Sequence, residues 1–285
     1  MEDLSVYIPK VNFEQIPIKN LVSNQEYQRN LSARHIRRTA EHFDLYQINP
    51  VKVSRRNGIN YVFNGQHTIE IIALVSGSRD TPVWCMIYDE LDYKEEADIF
   101  ANQQKYVKPL SSYDIYKANL ESGSDEELLI NAMVESYGLT LSSKKTAGTI
   151  TAVGTIVSIY KEHGYHVLDR TLRLCIGAWE GDTNSLTASV LKGIMQLVVA
   201  FGDMLRDDLF TEKVGGLSLR ELARTAKERR GAFSFSETML MAYNSKMKSP
   251  LQQSELYSVN RRIQAQAKKN RLKQNNNNRN STNRE

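Results

Sequence analysis

The stretch Tyr61-Val62-Phe63-Asn64-Gly65-Gln66-His67-Thr68-Ile69-Glu70 passes from the pattern of a strand into that of a buried helix. Before it, Asn57-Gly58 separates two apolar segments, and this dipeptide readily adopts the positive φ angles of a tight hairpin turn. After it, the apolar residues 69–75 are predicted to form a helix that ends at Gly77. The sequence therefore predicts a hairpin followed at once by a helix, with Gly65 at the end of the strand.

The start of this helix is a candidate anion site. The first N–H groups of a helix have no intrahelical acceptor, and they lie at the positive end of the helix dipole, where phosphates bind. Here those groups belong to Gln66, His67 and Thr68. Gly65 would let a ligand approach the backbone, and His67 could become charged if a phosphate raised its pKa. The alternative is a tight strand-helix turn in which Asn64 caps the helix.

The composition is that of an ordinary globular protein. The 285 residues include 41% hydrophobic residues, 37 lysines and arginines, 33 acidic residues and two cysteines. This apolar fraction is ample for a core, which excludes fibrous and wholly disordered classes, and two cysteines exclude a disulfide-stapled domain. No run of about 18 apolar residues predicts a membrane span. Cys85 and Cys175 are predicted to be buried, reduced thiols of a cytoplasmic protein.

The prolines divide the chain. Five of the six lie in the first 109 residues, and residues 110–249 contain none. Because an interior proline costs a helix about 3 kcal/mol, this distribution predicts an α+β protein with a mixed α/β front part and a mostly helical second part. A polar stretch at residues 121–125 suggests the boundary. We expect an α/β domain at 1–120, a helical domain at 121–257 and a basic, Asn-rich, disordered tail at 258–285.

The positive charge is concentrated in the tail. Residues 261–285 carry eight basic residues against one acid, hence +7, so the net charge of +4 leaves −3 for the first 260 residues. Such a tail can bind nucleic-acid phosphates with strong salt dependence, although it cannot read sequence; the alternative is a solubilising end. The predicted DNA-binding residues are Arg261, Arg262, Lys268, Lys269, Arg271 and Lys273.

Two other basic segments have two open interpretations. Arg34, Arg37 and Arg38 form a stripe on a predicted helix that Ser32 can cap, and this stripe either contacts phosphates or is a solvated face. The polar residues 142–146, with Lys144 at their centre, precede a predicted helix start. They are either a phosphate contact or simply a loop.

Residues 61–70 also resemble a known motif. They are similar to the Gly-Glu-Arg-Arg box of ParB partition proteins, and more similar to the Asp-Gly-Gln-His-Arg box of relatives in the ParB and sulfiredoxin superfamily. Other segments in the same order match further motifs of that superfamily, and the resemblance covers about residues 13–118. The supporting segments are residues 16–21, 27–29, 42–53, 101–105 and 108–111.

The resemblance implies a ParB/sulfiredoxin-like α/β module. Such a module binds a nucleoside triphosphate, as ParB proteins bind CTP, or uses the same cradle for other phosphate chemistry. Residues from three segments would then contact the nucleotide or its phosphates. By position these are Asn64, Gly65, Gln66, His67 and Thr68, together with Asn102, Gln103, Gln28 and Arg29.

Three departures from the superfamily pattern argue against catalysis. Thr68 stands where the superfamily has an arginine, which removes a bidentate phosphate ligand. Ala101 replaces an acidic residue, so a carboxylate that could hold Mg²⁺ is missing. Sulfiredoxins have a reactive cysteine where this chain has Gln66. We therefore expect no catalytic residues, no metal site and no enzymatic activity.

The sequence thus predicts a ParB-like, DNA-associated binding protein, nucleotide-responsive, from a plasmid, a phage or another mobile element. The expected partners are DNA rather than RNA and a second copy in a homodimer, with no membrane, in the cytoplasm or on the nucleoid. One alternative is a nucleotide hydrolase or phosphotransferase that uses residues 65–68. The other is a protein-interaction module with a vestigial site.

Overall fold

The computed structural model describes residues 10–23, 26–89, 91–105, 107–262 and 265. The chain forms two compact units, Met1–Pro109 and Leu110–Glu285, called the N-terminal and C-terminal units below. The N-terminal unit contains a mixed sheet with helices, and the C-terminal unit is mostly helical. The predicted α+β class is confirmed.

Five strands form the sheet of the N-terminal unit: β1 (Asn12–Pro17), β2 (Leu21–Ser23), β3 (Val51–Arg56), β4 (Ile59–Asn64) and β5 (Pro82–Asp89). Their order in the sheet is β1-β5-β3-β4-β2. The pairs β1–β5 and β3–β4 are antiparallel, whereas the pairs β3–β5 and β2–β4 are parallel.

The predicted hairpin is confirmed. Asn57 and Gly58, with φ of 50° and 73°, turn the chain between β3 and β4, because both residue types accept positive φ at low cost. The helices of this unit are α1 (Ala33–Ala40), α2 (Gln66–Ser76) and α3 (Tyr93–Lys105). Ile69 of α2 packs into the hydrophobic core that lies on one face of the sheet. The other buried residues of this core are Ile16, Ile18, Leu21, Val51, Val53, Val62, Val83, Cys85 and Ile87.

The C-terminal unit is a helical assembly with one short pair of parallel strands. Its helices are α4 (Ser112–Glu121), α5 (Asp125–Ser136), α6 (Val153–His163), α7 (Tyr165–Trp179), α8 (Ala188–Phe201), α9 (Asp207–Gly215), α10 (Leu219–Arg229) and α11 (Ser234–Asn244). The strands are β6 (Thr140–Leu141) and β7 (Thr149–Ile150). The apolar face of α8 packs against α7 and α11, with Leu191, Ile194 and Leu197 fully buried.

The boundary between the units lies at Pro109, before the polar stretch that suggested residue 120. The reason is α4: its Tyr116 is buried in the core of the C-terminal unit, and the Tyr116 hydroxyl donates to Asn131 Oδ1 at 2.9 Å. A polar sequence alone does not reveal this packing. Residues 110–120 therefore belong structurally to the helical unit.

The predicted start of the tail is wrong by several residues. Residues 253–262 are helical, because Leu256 is buried and the Asn260 side chain donates to the carbonyls of Leu256 and Gln196 at 2.7 and 3.2 Å. Residues 258–262 thus belong to this helix. Apart from residue 265, the rest of the predicted tail lies outside the described residues.

Both cysteines are free and buried, as predicted, and burial raises the pKa of each thiol to about 11. In the part of the chain that the structure describes, every helix is too short or too polar to cross a bilayer.

Candidate functional site: the junction between β4 and α2

Gly65 forms the junction between β4 and α2. Its φ of 107° and ψ of 12° turn the chain, and it is the N-cap of α2 without any side-chain cap. The alternative in which Asn64 caps the helix is wrong, because the Asn64 side chain instead donates to Gln103 Oε1 at 2.9 Å. No backbone acceptor within the described chain takes up the first-turn N–H groups. The positive end of α2 is therefore open to an anion.

Packing against β3 gives a reason for the absence of a side chain at Gly65. A Cβ there would lie 3.2 Å from Val51 Cγ1 and 3.3 Å from Val51 Cα, inside the core. It would not point toward the first turn of α2. Its positive φ and the close approach of β3 are therefore each sufficient to require glycine at this position.

The side chains of Gln66 and Gln28 are structural. Gln66 is 6% exposed; its Oε1 accepts from Ser23 Oγ at 3.3 Å, and its Nε2 donates to the carbonyl of Arg29. Gln28 is 8% exposed; its Oε1 accepts from Ser23 Oγ at 3.0 Å, and its Nε2 donates to the carbonyl of Val62 at 2.5 Å. Both amides tie the segment after β2 to β4 and α2. Of Gln66, only the backbone N–H remains for a phosphate.

His67 joins the starts of two helices. The backbone N–H of Ser32, the N-cap of α1, donates to His67 Nε2 at 3.3 Å. The Ser32 hydroxyl in turn accepts from the His35 N–H at 3.3 Å, and the rings of His35 and His67 lie 5.4 Å apart, edge to face. An imidazole that accepts at Nε2 is neutral and carries its proton on Nδ1. The N-termini of α1 and α2 therefore lie side by side.

α1 carries unpaired positive charge. Arg34, Arg37 and Arg38 are exposed, and among the described residues no carboxylate pairs with any of them. We call these three residues the arginine face. Arg29 is exposed close by in sequence, and its positive charge acts on His67. Arg34 thus lies in the first turn of α1, next to the first-turn N–H groups of α2, whereas Arg37 and Arg38 lie in the last turn of α1.

A buried ion pair lies on α3 and β3. Glu96 is fully buried, and its Oε1 lies 3.0 Å from Arg56 Nε. The Arg56 Nε–H does not point at this oxygen, so the two atoms form an ion pair without a hydrogen bond, and neither has another hydrogen-bond partner. Glu96 Oε2 accepts from the Tyr27 hydroxyl at 3.0 Å. Burial, and then this bond, raise the pKa of Tyr27. The Arg56 guanidinium also lies 4.1 Å from the centre of the Tyr61 ring. The pair anchors Tyr27, which precedes Gln28.

The remaining predicted residues differ in their placement. Gln103 contacts the junction through Asn64, whereas Asn102 donates to Asp98 Oδ2 at 3.0 Å, on its own helix. Thr68 is half-buried in the first turn of α2. Arg261 and Arg262 are exposed at the end of the last described helix. Lys268, Lys269, Arg271 and Lys273 lie outside the described residues.

Sequence reasoning missed the buried ion pair. Neither Glu96 nor Arg56 lies in any of the motifs on which the sequence predictions rest. The available signal was the alternation of β3, which places Ser54 and Arg56 on the face opposite the apolar core. A charged residue on a strand face that a helix covers needs a partner of opposite charge.

His67 predicts a pH dependence of stability. Its pKa lies below the ordinary value of 6.5, first because burial disfavours the charged ring and then because His35 and Arg29 repel the added charge. The unfolded chain therefore binds more protons just below pH 6.5, so this contribution to stability is complete above that pH and declines as the pH falls. We expect the urea midpoint of the N-terminal unit to fall on acidification through this window. The urea midpoint should fall less in His67→Asn than in the parent protein. His42→Asn is the matched control and should behave like the parent. Equal falls in the parent and in His67→Asn would contradict this prediction.

Comparisons with known proteins place the chain in a family. No curated protein matches it. A solved structure, the C-terminally truncated chromosome-partitioning protein ParB from Caulobacter crescentus complexed with CTP-γ-S, is similar at 14% identity and a TM-score of 0.34, over 80% of this chain and 98% of that chain. A family of unknown function, DUF6551, matches residues 22–251. Because this match spans most of the sequence, both the β4–α2 junction and the helical unit included, the chain belongs to the DUF6551 family.

Proposed function

We propose that this protein is a DNA-associated binding protein that holds phosphate groups where α1 and α2 begin. The observation that supports this most strongly is the hydrogen bond from Ser32 N–H to His67 Nε2, which joins the N-termini of α1 and α2 near Arg34 of the arginine face. Backbone N–H groups and helix dipoles favour a bound anion, and guanidinium groups pair with phosphate oxygens bidentately. Neutral His67 adds a donor at Nδ1.

The finer features follow from the sequence resemblance and remain part of the proposal. They comprise a ParB-like module that responds to a nucleoside triphosphate, a homodimer, a cytoplasmic or nucleoid location and an origin in a plasmid, phage or other mobile element. The helical unit and the basic tail would supply further DNA affinity. Phosphate contacts of this kind position a nucleic acid without reading its sequence.

A binding role is favoured over hydrolysis by the state of Glu96, the buried one of the three carboxylates on α3. Glu96 is enclosed by Arg56 and Tyr27, so it is held away from water and from a metal ion. Thr68 and Ala101 supply no charge. We expect a labelled nucleoside triphosphate to bind without turnover, and release of phosphate by the purified chain would contradict the non-enzymatic proposal.

Neutralising the arginine face tests the DNA-binding part of the proposal. Each lost phosphate contact removes about 0.9 from the slope of log affinity against log salt, so Arg34→Gln with Arg37→Gln and Arg38→Gln should lower that slope by about 2.7. The affinity for duplex DNA at low salt should fall at least about tenfold. Fluorescence anisotropy with the full chain, at several salt concentrations, measures both quantities.

The matched control removes the same charge elsewhere. Lys10, Lys94 and Lys108 are exposed in the N-terminal unit outside α1 and α2, and replacing all three by glutamine gives an equal change in net charge. If the control lowers the slope as much as the test variant, the binding is an effect of overall charge. In that case the proposed location on α1 and α2 is wrong.

A further inference from the structure

A cavity of about 600 Å³ lies within the C-terminal unit, at the start of α4 and of α6. Its wall is completed by Ser143, from the loop between β6 and β7, and by Lys192 of α8. This volume is in the range of about 300–1,000 Å³ that holds small ligands. The predicted basic loop at residues 142–146 thus contributes to a cavity instead of standing alone on the surface.

Most hydroxyl groups that line this cavity have no partner in the protein. Thr155 is 8% exposed and lines the cavity, and its hydroxyl forms no hydrogen bond with any described residue. The same holds for the hydroxyls of Ser112, Ser143 and Thr151. In contrast, Ser111 donates to Asp114 Oδ2 at 2.6 Å and Ser158 donates to Glu162 Oε1 at 3.1 Å. Because Thr155 is 8% exposed and its hydroxyl has no partner among the described residues, this hydroxyl is available to a ligand in the cavity.

The electrostatics of the cavity favour an anion. Of the described residues that line it, Lys192 alone is charged. α6 begins after Ala152, which offers no side-chain cap, so the N–H groups of Val153 and Gly154 are available at the positive end of an 11-residue helix. A Cβ at Gly154 would lie 2.7 Å from Ser112 Oγ, which shows how closely this hydroxyl approaches the first turn.

We infer that this cavity binds a phosphate group through Lys192, the Thr155 and Ser112 hydroxyls and the first turn of α6. Phosphate presents several acceptor oxygens in different directions, which suits hydroxyl and N–H donors that converge from α4 and α6. A single lysine matches a single phosphate rather than a chain of phosphates. The site is separate from the α1 and α2 junction and does not depend on the function proposed there.

Inorganic phosphate, titrated into the ¹⁵N-labelled full chain, tests this inference. We expect saturable shifts of the Val153, Gly154 and Thr155 amides with a Kd on the order of 1 mM. Lys192→Met should weaken binding about tenfold and Thr155→Val about fivefold, whereas Thr155→Ser, which retains the hydroxyl, should bind like the parent. Lys227→Met, an exposed lysine of α10, is the matched control and should change Kd less than about twofold.

Absence of these shifts, or equal weakening by Lys192→Met and Lys227→Met, would overturn the inference. Two further titrations identify the source of the phosphate, and either positive result supports the site. Duplex DNA that shifts the same amides and competes with inorganic phosphate assigns the group to a nucleic-acid backbone. A nucleoside monophosphate that competes where DNA does not assigns it to a small phosphate ester.

Discussion

Replacing Glu96 by glutamine is expected to lower the stability of the N-terminal unit by about 3 kcal/mol, the low end for breaking a buried ion pair. Glutamine has nearly the same shape and can still accept from the Tyr27 hydroxyl, so the change removes mainly the charge. Arg56, 29% exposed, would then be left without its counter-charge under α3. Because the Arg56 side chain keeps partial contact with water, we expect a loss of stability at the low end of the range for buried ion pairs. Urea denaturation and hydrogen exchange of the β3 and β4 amides measure the loss.

The matched control is an exposed ion pair in the same unit. Glu70 and Arg79 lie 3.1 Å apart with side chains 28% and 50% exposed. Because water already solvates both groups, Glu70→Gln should cost less than about 1 kcal/mol. Equal losses in the two variants would show that Glu96 and Arg56 do not form a desolvated pair. The Glu96→Gln substitution should also loosen the segment that Tyr27 anchors. Faster hydrogen exchange of the Gln28 amide would show this.

Replacing Gly65 by alanine is expected to cost about 2 to 3 kcal/mol through two separate effects. The first is backbone strain, since a φ of 107° is unfavourable for any residue with a Cβ. The second is the contact with Val51, whose Cγ1 would lie 3.2 Å from the new methyl group and which the core holds in place. Chemical denaturation of the full chain, with the unfolding of the N-terminal unit as the signal, measures the sum of the two effects.

Gly77 separates the two effects. It also has a positive φ, 68°, but a Cβ there would have no heavy atom within 4 Å. Gly77→Ala should therefore show only the backbone cost of about 1 kcal/mol. Because the Gly65 Cβ would point at Val51, the folded Gly65→Ala protein should bind nucleotide with nearly the parent affinity. A large loss of affinity without a loss of stability would instead indicate that a ligand occupies the space beside Gly65.

The sequence by itself determined the local backbone. Asn57-Gly58 specified the hairpin turn, Gly65 the end of β4 and the start of α2, and the proline distribution the change to a helical second unit. These features depend on φ preferences and on neighbours a few residues away, which are readable in the printed order of residues. The position of the α2 N-terminus, and hence the open N–H groups, follows from them.

Only the tertiary structure decided what the side chains do. The Gln66 side chain accepts from Ser23, 43 residues away, and His67 accepts from Ser32, 35 residues away. Glu96 and Arg56 become partners because α3 covers the second face of the sheet. Local pattern carries no information on which buried polar groups will meet, since each choice is set by the cost of leaving a donor or a charge unpaired once the core has formed.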